Sequence, residues 1–163
     1  MSKLKVDILV ESPLWERNSG VSRSVMRAAM AAGAHPKVGP AIRAGDEVCV
    51  TLIDDEAIAA LNRRWRGKNA PTNVLSFPAP PGPVMGHPRY LGDIALAFET
   101  IDREAKAQGM PFEDHVAHLV VHGLLHLLGY DHLSEGEARR MEALETRILV
   151  SIGVADPYAT EAA

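Results

Sequence analysis

Residues Phe112 to His132 read FEDHVAHLVVHGLLHLLGYDH, and this stretch decides where the core lies and where chemistry can sit. From Phe112 to Leu128 the sequence is apolar nearly all round, which predicts a helix that is central and buried. At about 100° per residue, His115, His118, His122 and His126 fall within roughly an 80° arc, so one side of this apolar helix carries imidazoles and must face a cleft. Two imidazoles four residues apart project from one face and can share a metal ion. Gly129, just past the apolar run, can take the left-handed conformation that stops a helix and returns the chain, swinging His132 toward the other two. The spacing HxxxHxxGxxH therefore describes a tripod of His122, His126 and His132 with an open fourth position. Four helical histidines compete for two ligand places. His122 and His126 are selected because they alone stand in register with Gly129 and His132, which leaves His118 behind the ligands or facing a substrate.

The same spacing matches the metzincin protease pattern HExxHxxGxxH except at one position, where Gly123 replaces the glutamate. That glutamate is the general base of the protease, and glycine cannot move a proton. The ligands are kept and the peptidase chemistry is put in doubt.

The rest of the chain bounds the reading. At 163 residues, 47% hydrophobic and 23% charged, it suits one domain, 1–163, with a sizeable core. The start, MSKLKVDILVESP, is too broken by Asp7 and Glu11 for a signal segment, and no stretch approaches a membrane span, so a cytoplasmic protein is expected. The single cysteine, Cys49, sits in the apolar run VCVTLI, where a buried thiol is expected and an internal disulfide is impossible. Any metal must then be held without thiolate. A net charge of −4 argues against a general nucleic-acid binder. Against that total, NRRWRGK gathers Arg63, Arg64, Arg66 and Lys68 around Trp65; on composition alone a solvated helix end is the simpler account of such a cluster.

Strands are expected at Leu4 to Val10, Glu47 to Ile53, Thr72 to Phe77 and Leu91 to Phe98. Helices are expected at Val21 to Ala32, ended by Gly33; from about Asp54, an N-cap, through Arg64, stopped by Gly67; and from Glu99 to Gln108. After the histidine helix, Ser134 and Glu137 form a capping box that opens a helix through about Ile152. Glu135, Glu137 and Glu142 read as helix-start and surface residues. Pro78 to Pro88 reads as a loop and the most mobile segment, and Asp156 to Ala163 as a frayed tail. The order predicts an α+β fold: one mixed sheet of about four strands packed with about five or six helices. There is no GxGxxG after a strand and no Walker loop.

Three blocks, RGKNAPTNVLSFP, YLGDIALAFET and HGLLHLLGYDH, occur in the order found in the bacterial YbeY family of metal-dependent endoribonucleases, which the chain resembles from about Leu52 to Ile152. The resemblance implies a cytoplasmic, single-strand-specific endoribonuclease acting in ribosomal RNA maturation, notably at the small-subunit 3′ end, and in ribosome quality control. It implies one zinc ion on His122, His126 and His132, with small-subunit and assembly-factor partners. The family's functional arginine falls on Arg66, which becomes the expected phosphate contact. No role is carried onto Thr72, Asn73, Ser76, Gly92 or Asp93.

A metal on three neutral imidazoles keeps its charge, can acidify water from a pKa near 16 to roughly 7 and can polarise a phosphoryl oxygen. Arg66 suits the charge that builds on a phosphorane. His118 is the candidate proton donor, with a structural hydrogen bond as its alternative. Hydroxide and the RNA 2′-hydroxyl both stand as nucleophiles. The competing functions are a zinc-containing, RNA-binding ribosome assembly factor that does not cut, and a peptidase-like hydrolase of another bond.

Overall fold

The computed structural model describes residues 4–80 and 88–158. The β-branched run Glu47–Ile53 forms β2, flanked by the parallel strands β1 (Lys5–Val10) and β4 (Tyr90–Ala97). Strand β3 (Val74–Pro78) pairs antiparallel with β4, so the order is β1-β2-β4-β3 and β3 is an edge strand. Alternation along the strands divides the apolar residues between two faces. Val48, Val50, Leu52, Ile94 and Leu96 join the main core, whereas Ile53, Leu75, Ala95 and Ala97 form a second cluster. Helix α2 (Asp55–Arg66) covers that second face with Ile58 and Leu61.

On the main face lie α1 (Val21–Ala34), α4 (Phe112–Leu127) and α5 (Glu135–Val150), with α3 (Phe98–Gln108) between β4 and α4. Helix α4 is central as expected: it packs against α1, α3, α5, β3 and β4. Val116, Val121 and Leu125 on it are fully buried, so truncating Leu125 to alanine removes about 2–5 kcal/mol of stability. Five α-helices and one mixed four-stranded sheet among the described residues match the predicted fold class.

Several boundaries move for physical reasons. Helix α1 runs through Gly33 to Ala34, because the breaker is Pro36, which forces His35 into an extended conformation; the glycine that the packing requires here is Gly39, where a Cβ would stand 2.6 Å from the Gly33 carbonyl oxygen. Pro78 belongs to β3, where an edge strand tolerates a residue without an N–H. The rest of the expected loop, 81–87, lies outside the described residues. Two short 3₁₀ turns, Pro13–Arg17 and Gly39–Ala41, carry no periodic signal. The first places Trp15, 2% exposed, against Phe98 and Phe112, with its Nε1 donating to Ile53 O at 2.8 Å. Cys49 is half-buried rather than buried, and burial pushes its thiol above the usual range. The expected frayed tail is tied down as far as it is described. Asp156 accepts from Thr146 Oγ1 at 3.1 Å, and the Tyr158 hydroxyl donates to Glu145 at 2.7 Å; residues 159–163 lie outside the described set.

Candidate functional site

Helix α4 sorts its four histidines by depth. His115 is buried and its Nε2 meets Glu104 of α3 at 2.8 Å, a carboxylate that Asn73 also reaches. His118 Nε2 lies 3.2 Å from the Tyr158 hydroxyl and 3.6 Å from Glu145. His122 and His126, one and two turns further on, bring their Nε2 atoms to 3.2 Å from each other. The helix then ends at Gly129, whose φ of +99° and whose open space where a Cβ would stand show that backbone freedom is what the position requires. Gly129 N donates to His126 O and Tyr130 N to Leu125 O, a Schellman-type closure that turns the chain back. His132 arrives beside the pair, its ring centre 5.0 Å from that of His126. One ligand atom from each of the three lies within 4.8 Å of the others.

The residues fit a divalent transition metal. Tetrahedral zinc with bonds of about 2.0–2.1 Å to imidazole nitrogen holds neighbouring donors about 3.3–3.4 Å apart, and the 3.2 Å between His122 and His126 meets that spacing. Behind His122 stands Glu145 of α5, fully buried, its Oε1 2.6 Å from Nδ1. Burial alone would raise this carboxyl. Hydrogen bonds from His118, His122 and Tyr158, with the charge of His122, overcome that and hold it at about 2. An ionised acceptor there calls for a proton on Nδ1, and in the neutral ring this leaves Nε2 as the free donor atom, the arrangement in which a carboxylate fixes and strengthens a metal-binding imidazole. His126 is pushed below the usual imidazole range by burial and then by His122 and His132, which favours the neutral ring a metal requires.

The three histidines open on a cavity of about 490 Å³ whose wall also includes Arg66, Ser76, Pro78 and Asp131. Arg66 comes from the last turn of α2, which Gly67 closes in the left-handed conformation at φ +70°. His118 and His115 do not line this cavity. Gly123 explains the missing protease glutamate: a Cβ there would stand 3.0 Å from both Ile94 Cγ2 and Ser76 Oγ. The position faces the sheet at van der Waals distance, and Ser76 Oγ donates to its carbonyl at 3.2 Å.

Residues 16–153 match the family model described as Endoribonuclease YbeY. The chain belongs to the YbeY endoribonuclease family. Among curated YbeY relatives, one from Rhodopseudomonas palustris strain BisA53 is 49% identical over 95% of this chain and 90% of its own. Another, from a Bradyrhizobium species, is 48% identical over 94% of this chain and 91% of its own. A solution structure of a Thermotoga maritima protein shares the fold with a TM-score of 0.52, covering 90% of each chain at 24% identity.

Within this YbeY chain, Glu145 is the site residue that sequence reasoning missed. Its signal is present in MEALETRIL: Met141, Leu144, Ile148 and Leu149 are the buried stripe of α5, and Glu145 stands inside that stripe. A carboxylate on the apolar face of a helix needs a buried partner. No helix among the described residues is long and apolar enough to cross a membrane.

Proposed function

We propose that this chain works as a single domain, a zinc-dependent endoribonuclease that cuts single-stranded RNA in ribosomal RNA maturation, notably at the small-subunit 3′ end, and in ribosome quality control. The expected setting is the cytoplasm, with the small subunit and its assembly factors as partners. One observation carries the reading: two imidazoles from α4, a third from the turn that follows it and one arginine from α2 on the other face of the sheet line one open cavity.

His122, His126 and His132 would hold the ion. When bound, zinc would polarise a phosphoryl oxygen and lower the pKa of water toward roughly 7. Glu145 keeps the His122 proton on Nδ1. Arg66, exposed at the cavity wall, presents a planar donor fork suited to two oxygens of one phosphate, the place where negative charge grows as the phosphorane forms. The position of His118 behind the cavity favours its structural alternative over proton donation: it braces Glu145 and Tyr158.

Two other readings fare less well. A non-cleaving assembly factor with a structural metal would need a fourth protein ligand, and among the described residues the metal-capable group contains the three histidines alone. A peptidase would need a base supplied from outside the motif, because Gly123 offers none and a Cβ there already crowds Ile94 and Ser76.

The test incubates metal-reconstituted wild type, His122→Ala and Arg66→Ala with single-stranded and duplex RNA, with bound zinc measured on the same samples. Wild type should cut single strands only, His122→Ala should lose zinc and cleavage, and Arg66→Ala should keep zinc while losing about 10²–10³ in rate. Normal cleavage by Arg66→Ala would remove its role. Tight RNA binding with zinc bound and no cleavage by wild type would favour the assembly factor.

A further inference from the structure

On the opposite side of β3 from the histidines lies a second cavity, of about 870 Å³, walled by Trp65, Leu61, Phe77 and Pro78 among others. Pro78 is common to both cavities, and Trp65 and Arg66 are chain neighbours that each line one of them. Trp65 is 61% exposed and continues the apolar wall formed by Ile53, Leu61, Phe77 and Pro78, and a contiguous apolar surface of this kind marks a binding site where a lone exposed ring would not. It is also held firmly. It sits in the last turn of α2, and from the same helix Asn62, buried, donates from Nδ2 to Ala70 O at 2.9 Å and fixes the following loop. Phe77 meets the indole edge-on at 6.4 Å between centroids, and Arg64 lies over the ring at 5.1 Å.

Resting on the endoribonuclease reading above, we propose that Trp65 and Phe77 form a stacking subsite for one unpaired base of the RNA, carried by a nucleotide next to the phosphate that Arg66 engages. Charge selects this occupant. Arg63, Arg64, Arg66 and Lys68 are exposed and have no carboxylate partner among the described salt bridges, so a cationic rim borders the ring in a chain of net charge −4. Inside the cavity the sign reverses, because Glu11 and Asp93 line its wall. Phosphate is attracted to the rim and repelled from the interior, whereas an uncharged base is admitted. Base–aromatic stacking tolerates any sequence but needs a base free of its complement. The subsite therefore contributes to selection of single strands as well as to affinity.

The protein's two tryptophans make the test direct, since Trp15 is 2% exposed and Trp65 is the accessible one. The probes are a 2′-O-methyl oligoadenylate, which resists cleavage through the 2′ position, and an abasic ribose-phosphate oligomer of the same length. Titrating zinc-loaded wild type with the oligoadenylate should quench tryptophan emission, and the abasic oligomer should bind more weakly without quenching. Trp65→Ala should weaken the oligoadenylate Kd by about 5- to 150-fold, the range for one stacked base. Trp65→Phe should recover most of that loss, with zinc content equal in all three proteins. Oligoadenylate binding without quenching, or with Trp65→Ala as tight as wild type, overturns the subsite and leaves the nuclease reading intact. Failure of wild type to bind or cut any RNA overturns both.

Discussion

Glu145→Gln should weaken zinc binding by about 10- to 100-fold, the range for losing a carboxylate that backs a ligating histidine, and leave the fold standing. The carboxylate is 0% exposed and accepts from His122 Nδ1 at 2.6 Å and from the Tyr158 hydroxyl at 2.7 Å. Glutamine has nearly the same volume, and its carbonyl oxygen can take the His122 bond. Its amide then meets the Tyr158 oxygen, which accepts while turning its own hydrogen to His118 Nε2, 3.2 Å away. The His122 and Tyr158 groups that face the carboxylate keep partners, and His118 Nδ1 has none before or after the change, so the stability loss should stay near 1–2 kcal/mol. The missing element is the negative charge behind the ring, and the tenfold to hundredfold loss corresponds to about 1.4–2.7 kcal/mol of metal binding. Glu145→Ala differs: it strands both donors and opens a void, for about 3–5 kcal/mol of stability. Competition with a chromogenic zinc chelator at neutral pH, with thermal melting of the same samples, separates the two effects. Zinc affinity of Glu145→Gln within about threefold of wild type would refute the reasoning, since that is less than half the smallest expected free-energy change.

Asp46, 1% exposed, accepts from the Arg43 backbone at 2.8 Å and twice from Arg89, and despite burial its carboxyl is held below the usual 3.8. A lowered folded pKa stabilises above the unfolded value and is lost as pH falls through the folded one. Asp46→Asn should therefore cost about 1–3 kcal/mol at neutral pH, and urea unfolding should show the gap from wild type shrinking below about pH 4. Gly92→Ala places a Cβ 2.2 Å from Phe77 O at φ +139°, so a melting scan should show a loss above about 3 kcal/mol. Gly123→Glu should lose comparable stability for want of space against Ile94 and Ser76; peptidase activity in a well-folded Gly123→Glu protein would contradict this packing.

What was legible in the sequence follows from periodicity and local chemistry. The 3.6-residue pattern places α4, the β-branched run places β2, and Asp54 and Ser134 cap α2 and α5 as their side chains imply. The grouping of His122, His126 and His132 was legible because all three lie within eleven residues, two on one helix face and the third returned by the turn at Gly129. Strand order was not: that β3 returns antiparallel to the edge beside β4 depends on long-range pairing. Glu145 was hidden for the same reason, being on a different helix from the histidine it serves. The separate fates of His115 and His118 also required α3 and α5 to be in place, because one arc on a helix does not reveal which neighbour each ring will meet.

The pairing of β3 with β4 gives one short strand two duties. Ser76 opposite Ile94 belongs to the histidine side, and Phe77 opposite Asp93 to the Trp65 side. Because successive side chains alternate, a slip of one residue would exchange these neighbours, carrying a phenyl ring into the histidine-lined cavity and a hydroxyl toward the indole. Edge strands have only one partner to resist such slippage, and here Gly92 supplies the lock, since Phe77 O occupies the space its side chain would fill. A residue with no side chain thus determines which chemistry each surface of the strand presents.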